Sequence, residues 1–147
     1  MKISTKGRYG TRVMLELANN WGKGPIQLKG VAKNQQLSLN YIEHLVAPLV
    51  SAGLVKTARG SSGGIWLAKP PNEIKVSEII CLFEGSSAPV ECVNDPGVCR
   101  RSDFCATRDI WADVKKAVDG VLGSVTLEDL VKKQKHKAQS GSLMYQI

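Results

Sequence analysis

Three segments near the amino end of the chain place apolar residues at helical spacing. They predict helices at about residues 4–20, 27–35 and 39–52. Their apolar faces comprise Tyr9, Val13, Met14, Leu17, Ala18, Leu28, Val31, Ala32, Ile42, Leu45, Val46 and Leu49. The segment 22–25 breaks the first helix, and the turn 36–38 joins the second to the third. Ser38 suits the N-cap of the third helix, and Gly53 suits its end. Two short helices joined by a three-residue turn are typical of a helix-turn-helix.

A hairpin is predicted directly after the third helix. Residues 54–58 and 65–68 have the pattern of two short strands, and the connection 59–64 is rich in glycine. Its glycines permit a tight tip that approaches another surface closely. Arg59 at this tip suits the narrow minor groove of DNA, where the negative potential is enhanced. The position of the hairpin therefore predicts the wing of a winged helix-turn-helix.

The second half of the chain predicts two further helices separated by a loop. Residues 76–84 are expected to form a buried helix in which Cys81 is a buried structural thiol. Residues 85–104 have little periodicity and predict a loop. A longer helix begins near Asp103, and its apolar stripe comprises Ile110, Trp111, Val114, Ala117, Val118, Val121 and Leu122. Such a stripe needs a partner: we interpret it as a dimerisation surface, and packing on its own domain is the alternative.

The expected fold is mainly α with a small β wing: a winged helix-turn-helix domain followed by a long dimerisation helix. The winged helix-turn-helix domain is expected at 1–84 and the cysteine-bearing loop at 85–106. The dimerisation helix and a short C-terminal helix are expected at 107–135. The last helix opens at a capping box from Thr126 to Asp129. The basic, polar tail at 136–147 is expected to be disordered.

The charge of +7 is unevenly distributed along the 147 residues. Residues 1–60 hold nine Lys or Arg against two acidic residues, whereas residues 61–147 hold eleven of each. This imbalance favours a DNA-binding amino-terminal part over a merely solubilising basic surface. No apolar run approaches the roughly 20 residues of a membrane span, and the first residues lack a secretory signal. The expected location is the cytoplasm, with no membrane partner.

Four cysteines in such a chain favour metal or redox chemistry over disulfides. Cys92, Cys99 and Cys105 lie in one short segment, separated by six and five residues. Thiolates at this spacing can converge on one iron–sulfur or zinc site. The pairing of such a site with a DNA-binding unit predicts a regulator that senses the metal or its cluster.

Several of these segments together resemble the IscR-type (Rrf-type) family of bacterial winged-helix transcription regulators. The opening residues 1–10 resemble the family's N-terminal segment, 38–45 its recognition helix and 59–64 its wing. The three cysteines match those that bind an iron–sulfur cluster in its sensing members, and 109–111 resembles the start of its dimer helix. The resemblance covers about residues 1–135.

The resemblance implies a set of DNA-binding residues. The groove-facing residues would be Ser38, Asn40, Tyr41, Glu43 and His44. Asn pairs with adenine and Glu accepts from cytosine, so this set suits base recognition; for Glu43 the alternative is a solvent-facing carboxylate. Arg59 would enter the minor groove, and the expected phosphate contacts are Lys6, Arg8 and Lys56.

The resemblance also implies an iron–sulfur cluster at Cys92, Cys99 and Cys105, with [2Fe-2S] favoured over [4Fe-4S]. In the best-known family member a His three positions after the third cysteine completes the site, and here that position is Arg108. A fourth ligand must therefore come from elsewhere. The candidates are Asp103, Asp109, Glu91, Asp95, Cys81, solvent or the partner subunit. A zinc site of three cysteines and one other ligand is the alternative.

Together these features predict a homodimeric repressor or activator that binds double-stranded operator DNA under control of the cluster. A member of the same family that senses a small molecule or a partner protein is the first alternative. An electron-transfer iron–sulfur protein is the second, although it has no use for a basic helix-turn-helix. No enzyme is predicted, because neither His has an evident catalytic partner and neither a phosphate-binding loop nor a GxSxG motif occurs.

Overall fold

The computed structural model describes residues 2–144. Within this range the chain forms seven α-helices and one two-stranded antiparallel sheet, in the order of a winged helix-turn-helix followed by a helical extension. The elements are α1 (Thr5–Asn19), α2 (Leu28–Gln35), α3 (Leu39–Ser51), β1 (Val55–Ala58), β2 (Gly64–Leu67), α4 (Val76–Glu84), α5 (Glu91–Asn94), α6 (Ala106–Ser124) and α7 (Leu127–Met144). The predicted fold class, mainly α with a small β wing, is confirmed.

Side-chain caps and one left-handed residue delimit the helices of the helix-turn-helix. The Ser38 hydroxyl accepts a hydrogen bond from the Tyr41 backbone N–H at 3.1 Å, which starts α3 as predicted. Ser4 caps α1 in the same way through the Gly7 N–H. Gln36 adopts a left-handed conformation with φ of 56° and ends α2, so that the turn to α3 is tight.

The hydrophobic core lies between α1, α2, α3, α4 and the sheet. Met14 and Val13 of α1 and Leu49 of α3 are fully buried there, and Leu127 at the start of α7 is buried with them. Leu127 also donates its N–H to the Ile74 carbonyl at 2.9 Å. The helical extension is therefore joined to the DNA-binding domain through its last helix as well as through α4.

The wing is fixed at its base by the link between α1 and α2. β1 and β2 pair from Val55 opposite Leu67 to Ala58 opposite Gly64. Ile26, just before α2, forms an antiparallel bridge with Ile65 through hydrogen bonds of 2.9 and 2.8 Å. This bridge therefore connects the base of the wing to the segment that leads into α2.

Two glycines allow α1 to lie close against α4. A Cβ at Gly10 would be 2.2 Å from Phe83 Cε2, and a Cβ at Gly7 would be 2.3 Å from Glu84 Oε1. Glu84 in turn accepts a hydrogen bond from the Ser4 backbone N–H at 3.1 Å. The glycines of the amino-terminal segment therefore have a packing role, which brings the start of α1 to the end of α4.

The tail expected to be disordered is helical in the part that the structure describes. The predicted capping box is present, with Thr126 and Asp129 exchanging hydrogen bonds, but α7 continues from it to Met144. The physical reason is an anchored first half, in which Leu130 and Val131 pack against the core and Gln134 accepts a hydrogen bond from Asn19 at 2.7 Å. The prediction was wrong for residues 136–144, and 145–147 lie outside the described residues.

The expected burial of Cys81 is also wrong, because this residue is exposed. The buried positions of α4 are Val76, Ile79 and Ile80. One residue further along the helix turns the side chain by about 100°, away from the core and into a groove beside Lys115 of α6. Cys81 is therefore a surface thiol.

Candidate DNA interface and cysteine loop

Helix α3 presents one buried face and one exposed polar face. Ile42, Leu45, Val46 and Leu49 point into the core. Asn40, Glu43 and His44 are exposed at positions i, i+3 and i+4, so they share the opposite face. Ser38 is exposed at the start of the helix, but its hydroxyl is already engaged in capping. The predicted groove-facing residues thus form one exposed surface, to which Asn40, Glu43 and His44 contribute side chains without a capping role.

Tyr41 is half-buried and packs on a residue of α1. Its ring lies edge-on to the ring of Tyr9, with centroids 6.2 Å apart. The guanidinium carbons of Arg12 and Arg8 lie 5.0 and 5.9 Å from the centroid of the Tyr9 ring, within the range of cation–π contacts. This Tyr–Arg stack holds two positive charges beside the recognition helix. Arg8 was predicted as a phosphate contact; Arg12 and Tyr9 were not.

The wing carries two of the predicted DNA-binding residues on exposed positions. Lys56 is exposed on β1, and Arg59 is exposed at the start of the tip. Gly60 has φ of 103° and Gly64 has φ of 151°, conformations that disfavour any other residue. The side-chain amide of Gln27, the residue that precedes α2, donates to the carbonyl of Ser61 at 3.2 Å. The tip is therefore held against the start of the helix-turn-helix.

Lys6, another predicted phosphate contact, lies near the start of α1. It is exposed on the first turn of α1, two residues after the cap Ser4 and two before Arg8. Across residues 1–60, only Glu16 and Glu43 are acidic. Glu16 accepts hydrogen bonds from Asn34 at 2.7 Å and from Gln35 at 2.6 Å. Its charge is thus engaged in joining α1 to α2, which leaves Glu43 as the free carboxylate of this surface.

The three clustered cysteines occupy different short elements of one loop. Cys92 lies in α5, Cys99 follows a 3-10 turn at Pro96–Val98, and Cys105 immediately precedes α6. All three are free thiols of intermediate exposure. A hydrogen bond with the Thr107 hydroxyl, with Sγ and Oγ1 3.1 Å apart, lowers the pKa of the Cys105 thiol, and the Arg108 backbone N–H acts in the same direction. These two hydrogen bonds therefore favour the thiolate form of Cys105.

Arg108 ties the loop to α6. Its Nε donates to the carbonyl of Cys92 at 2.8 Å, so the position expected to carry a metal-binding His instead holds a hydrogen-bonded guanidinium. Of the four carboxylates considered as fourth ligands, Asp95 accepts from the Gly97 N–H at 2.9 Å and caps the turn, while Asp103, Asp109 and Glu91 are exposed. Asp95 is exposed as well, so all four carboxylates are accessible, whereas the Arg108 guanidinium is a cation that does not bind metals.

An iron–sulfur cluster fits the chemistry of this loop but not its described conformation. Three free thiols are the soft donors that a cluster requires. In residues 2–144, however, no three His, Cys, Asp or Glu side chains are gathered closely enough to hold a metal ion. We therefore derive no step through a cluster from this geometry.

Helix α6 exposes an apolar face next to the cysteine loop. None of its residues is buried, and Ile110, Trp111 and Val121 are 57%, 40% and 65% exposed. Phe104, at the end of the loop, is 92% exposed. An adjacent side of α6 lies against α4, where Val118 and Leu122 line a groove together with Ile80. The predicted stripe is thus divided, one part packing within the chain and the other facing outward.

The chain matches the model of a known protein family over most of its length. The model of the Rrf2 family, described as an iron-dependent transcriptional regulator, matches residues 3–133. The chain belongs to the Rrf2 family. It is 47% identical over 130 residues to the HTH-type transcriptional regulator CymR of Bacillus subtilis, covering 88% of this chain and 89% of that one.

Solved structures of Rrf2 relatives have the same fold. CymR, described as the global cysteine regulator of B. subtilis, superposes with a TM-score of 0.77 at 45% identity, over 90% of this chain and 98% of the other. IscR of T. potens superposes with a TM-score of 0.76 at 42% identity, over 91% and 88%. The resemblance drawn from the sequence is confirmed. This Rrf2 protein is a DNA-binding transcription regulator and not an enzyme.

Two features of this Rrf2 chain escaped the sequence analysis. Arg12 lies one helical turn after Arg8, and that i, i+4 spacing was available in the sequence as a signal. An apolar cavity of about 340 Å³ lies between the end of α1 and β2, lined by Leu17, Trp21, Ile26 and Trp66 among others. It could not be foreseen, because it depends on how the loop 20–25 meets the sheet. No helix in residues 2–144 has the length and apolarity needed to cross a bilayer.

Proposed function

We propose that the protein acts in the bacterial cytoplasm as a homodimeric regulator whose binding to operator DNA is controlled by an iron–sulfur cluster on Cys92, Cys99 and Cys105. The observation that carries the proposal is the position of the loop. It holds three free thiols and directly precedes α6, the helix with the exposed apolar face. A [2Fe-2S] cluster is favoured over [4Fe-4S] by the resemblance of the cysteine spacing to the IscR type.

DNA recognition is assigned to the exposed face of α3 and to the wing. Asn40, Glu43 and His44 present base-reading groups, and the Ser38 and Tyr41 hydroxyls serve phosphates or bases. Arg59 at the wing tip enters the minor groove. Phosphates are held by Lys6, Arg8 and Lys56, to which the Tyr–Arg stack adds Arg12.

Dimerisation through α6 would connect the loop to the spacing of the two recognition helices. In a two-fold dimer the separation of these helices must match the separation of the DNA half-sites. The loop is bonded to α6 through Arg108, and α6 packs on α4, which contacts α1. A rearrangement that gathers the three thiols would break or move the hydrogen bond of Arg108. Cys92, Cys99 and Cys105 would hold the cluster as thiolates, and the cluster would supply the redox- or iron-dependent signal.

A regulator controlled by a small molecule is the second candidate, favoured by the apolar cavity beside β2. The side chains of Trp21 and Trp66 line the cavity, and Asn20 adds a polar group to the lining. The lining also includes Ile26 and Ile65, whose backbones form the bridge between the wing and the segment before α2. A ligand there would act on the DNA-binding unit directly and would leave the cysteines without a role.

Metal analysis and DNA binding, measured on the same anaerobically purified protein, test the proposal. We expect near-stoichiometric iron and acid-labile sulfide in the wild type and in Cys81→Ser, and loss of both in Cys99→Ser. Cys81 is the matched thiol outside the loop, and loss of iron in Cys81→Ser would identify it as the fourth ligand. Mössbauer spectra would determine the cluster type. Loaded and unloaded protein should differ by about fivefold or more in affinity for one selected duplex.

Two results would contradict parts of this proposal separately. Protein that binds DNA but takes up no iron and sulfide after reconstitution would refute cluster control and leave the small-molecule candidate. Loaded protein whose affinity for every selected duplex equals that of the unloaded form would refute the coupling alone.

A further inference from the structure

The second half of α7 is a basic surface, although residues 61–147 together carry no net charge. The sequence balances eleven basic and eleven acidic residues after position 60, but the last acidic residues are Glu128 and Asp129. Four lysines follow within six positions: Lys132, Lys133, Lys135 and Lys137. Every residue from 132 to 140 is exposed. The helix therefore presents a concentrated positive charge. Asp129, one turn before Lys133, offsets part of it, and no acidic residue lies within one turn of Lys137.

The lysines of α7 divide between two sides of the helix. Lys132 and Lys135 line a groove with Trp21 and Pro70, and Lys132 pairs with Glu128 at 3.1 Å. Gln134 lines a different groove, with Arg12 and Asn34. Lys137 lies one helical turn after Gln134, and Lys133 lies one turn before Lys137. Lys133 and Lys137 therefore flank the side of α7 that meets α1 and the end of α2.

This side of α7 is continuous with the surface around the recognition helix. The hydrogen bond from Asn19 to Gln134 fixes the middle of α7 beside the α1 face that carries Arg12. Arg12 stacks on Tyr9, which contacts Tyr41 of α3. Beyond Gln134 the helix extends ten residues, or about 15 Å at 1.5 Å per residue. Its lysines thus lie beyond a groove in which Gln134 meets Arg12 and the Glu16 carboxylate.

We propose that Lys133 and Lys137 bind DNA phosphates that flank the base pairs contacted by α3 and the wing. The inference rests on the DNA-binding function of the chain. Charge complementarity selects the occupant, because a duplex offers a regular line of negative charge that such a surface can follow past the recognition site. A second α7 would bring lysines against lysines. The contacts position the protein and carry no sequence information.

The salt dependence of binding to a duplex tests this assignment. A duplex of about 40 base pairs, selected from a random pool with the wild-type protein, serves as the probe. The double variant Lys133→Gln, Lys137→Gln is compared with Lys132→Gln, Lys135→Gln, which removes equal charge from the other side of the same helix. The slope of log K against log salt should fall by about 0.9 for each phosphate that the variant no longer neutralises, so by about 1.8 for each subunit of the first variant. The control should keep the wild-type slope, and Lys133→Arg, Lys137→Arg should restore it.

A footprint and a mass measurement complete the test. The first variant should lose backbone protection only at the outer phosphates while protection at the centre of the site remains. Equal slopes for the two glutamine variants would overturn the inference, and so would a change of subunit number in the first variant measured by light scattering, since α7 would then contact another protein chain. Failure of the wild type to bind any selected duplex would instead contradict the DNA-binding function itself.

Discussion

Glu43 is a carboxylate on a surface otherwise made of neutral and basic groups. It is exposed on α3 between Asn40 and His44, and the other acidic residue of the segment 1–60, Glu16, is bonded to Asn34 and Gln35. Near phosphates such a charge lowers affinity for DNA in general. Its presence on the recognition face is therefore explained best by a base that donates a hydrogen bond, and cytosine offers one in the major groove.

Glu43→Gln should weaken discrimination at one base pair and leave the rest of the site unchanged. We expect a loss of about 1–3 kcal/mol of discrimination at that position, together with equal or tighter binding to unrelated DNA. Competition between the selected duplex and its single-base variants measures both. Glu73→Gln, an exposed change just before α4, is the control. Unchanged discrimination at every position would assign Glu43 to solvent.

At the scale of the element, the sequence predicted those helices whose ends are set by local chemistry. The bounds of α1, α2 and α3 were predicted within one residue, because Ser38, Gly53 and the glycine-containing break act on the neighbouring backbone. The far half of α7 was missed because its polar sequence lacks an apolar face, and the hydrogen bond between Asn19 and Gln134 depends on tertiary structure. The hydrogen bond between Arg108 and the Cys92 carbonyl also depends on tertiary structure, so the spacing of the cysteines could not predict it.

The exposed face of α6 leads to a prediction about subunit number. Val121→Glu places a charge at the most exposed aliphatic position of that helix, where it would disrupt apolar packing between two copies. We expect the variant to be monomeric at concentrations where the wild type is dimeric, as measured by sedimentation velocity. Lys116→Glu, also exposed on α6, should remain dimeric. A dimeric Val121→Glu protein would place the subunit interface elsewhere.

At the scale of the whole molecule, α4 is one of two elements that join its halves, the other being the start of α7. Helix α4 packs against α1 on one side and α6 on the other. The sequence predicted α4 with its correct bounds, Val76–Glu84, but not this role, because Gly7 and Gly10 reveal their packing only when Phe83 and Glu84 are placed against them. The candidate DNA-binding residues could be proposed singly from the sequence, but the stack that places Arg12 beside them could not.

Gly10→Ala should destabilise the protein by disturbing the packing of α1 against α4. The added Cβ would lie 2.2 Å from the Phe83 ring, so the ring or the helix must shift. We expect the free energy of unfolding to fall by about 1–3 kcal/mol. Gly30→Ala on α2, where the nearest atom is 4.0 Å away, should be neutral or stabilising by up to about 1 kcal/mol. Denaturant titrations of both variants measure the difference; equal stabilities would mean that α1 and α4 are not closely packed in solution.

Because α6 has no buried residue, the stability of this helix bears on how the protein responds to its own concentration. A helix with so little burial in its own chain gains most of its stability from whatever covers its apolar face. If a second copy covers it, folding of this segment and association are a single equilibrium, and the melting temperature rises with total protein. The cellular concentration of the regulator would then determine what fraction of it is a folded dimer able to bind DNA, independently of any signal received by its cysteines.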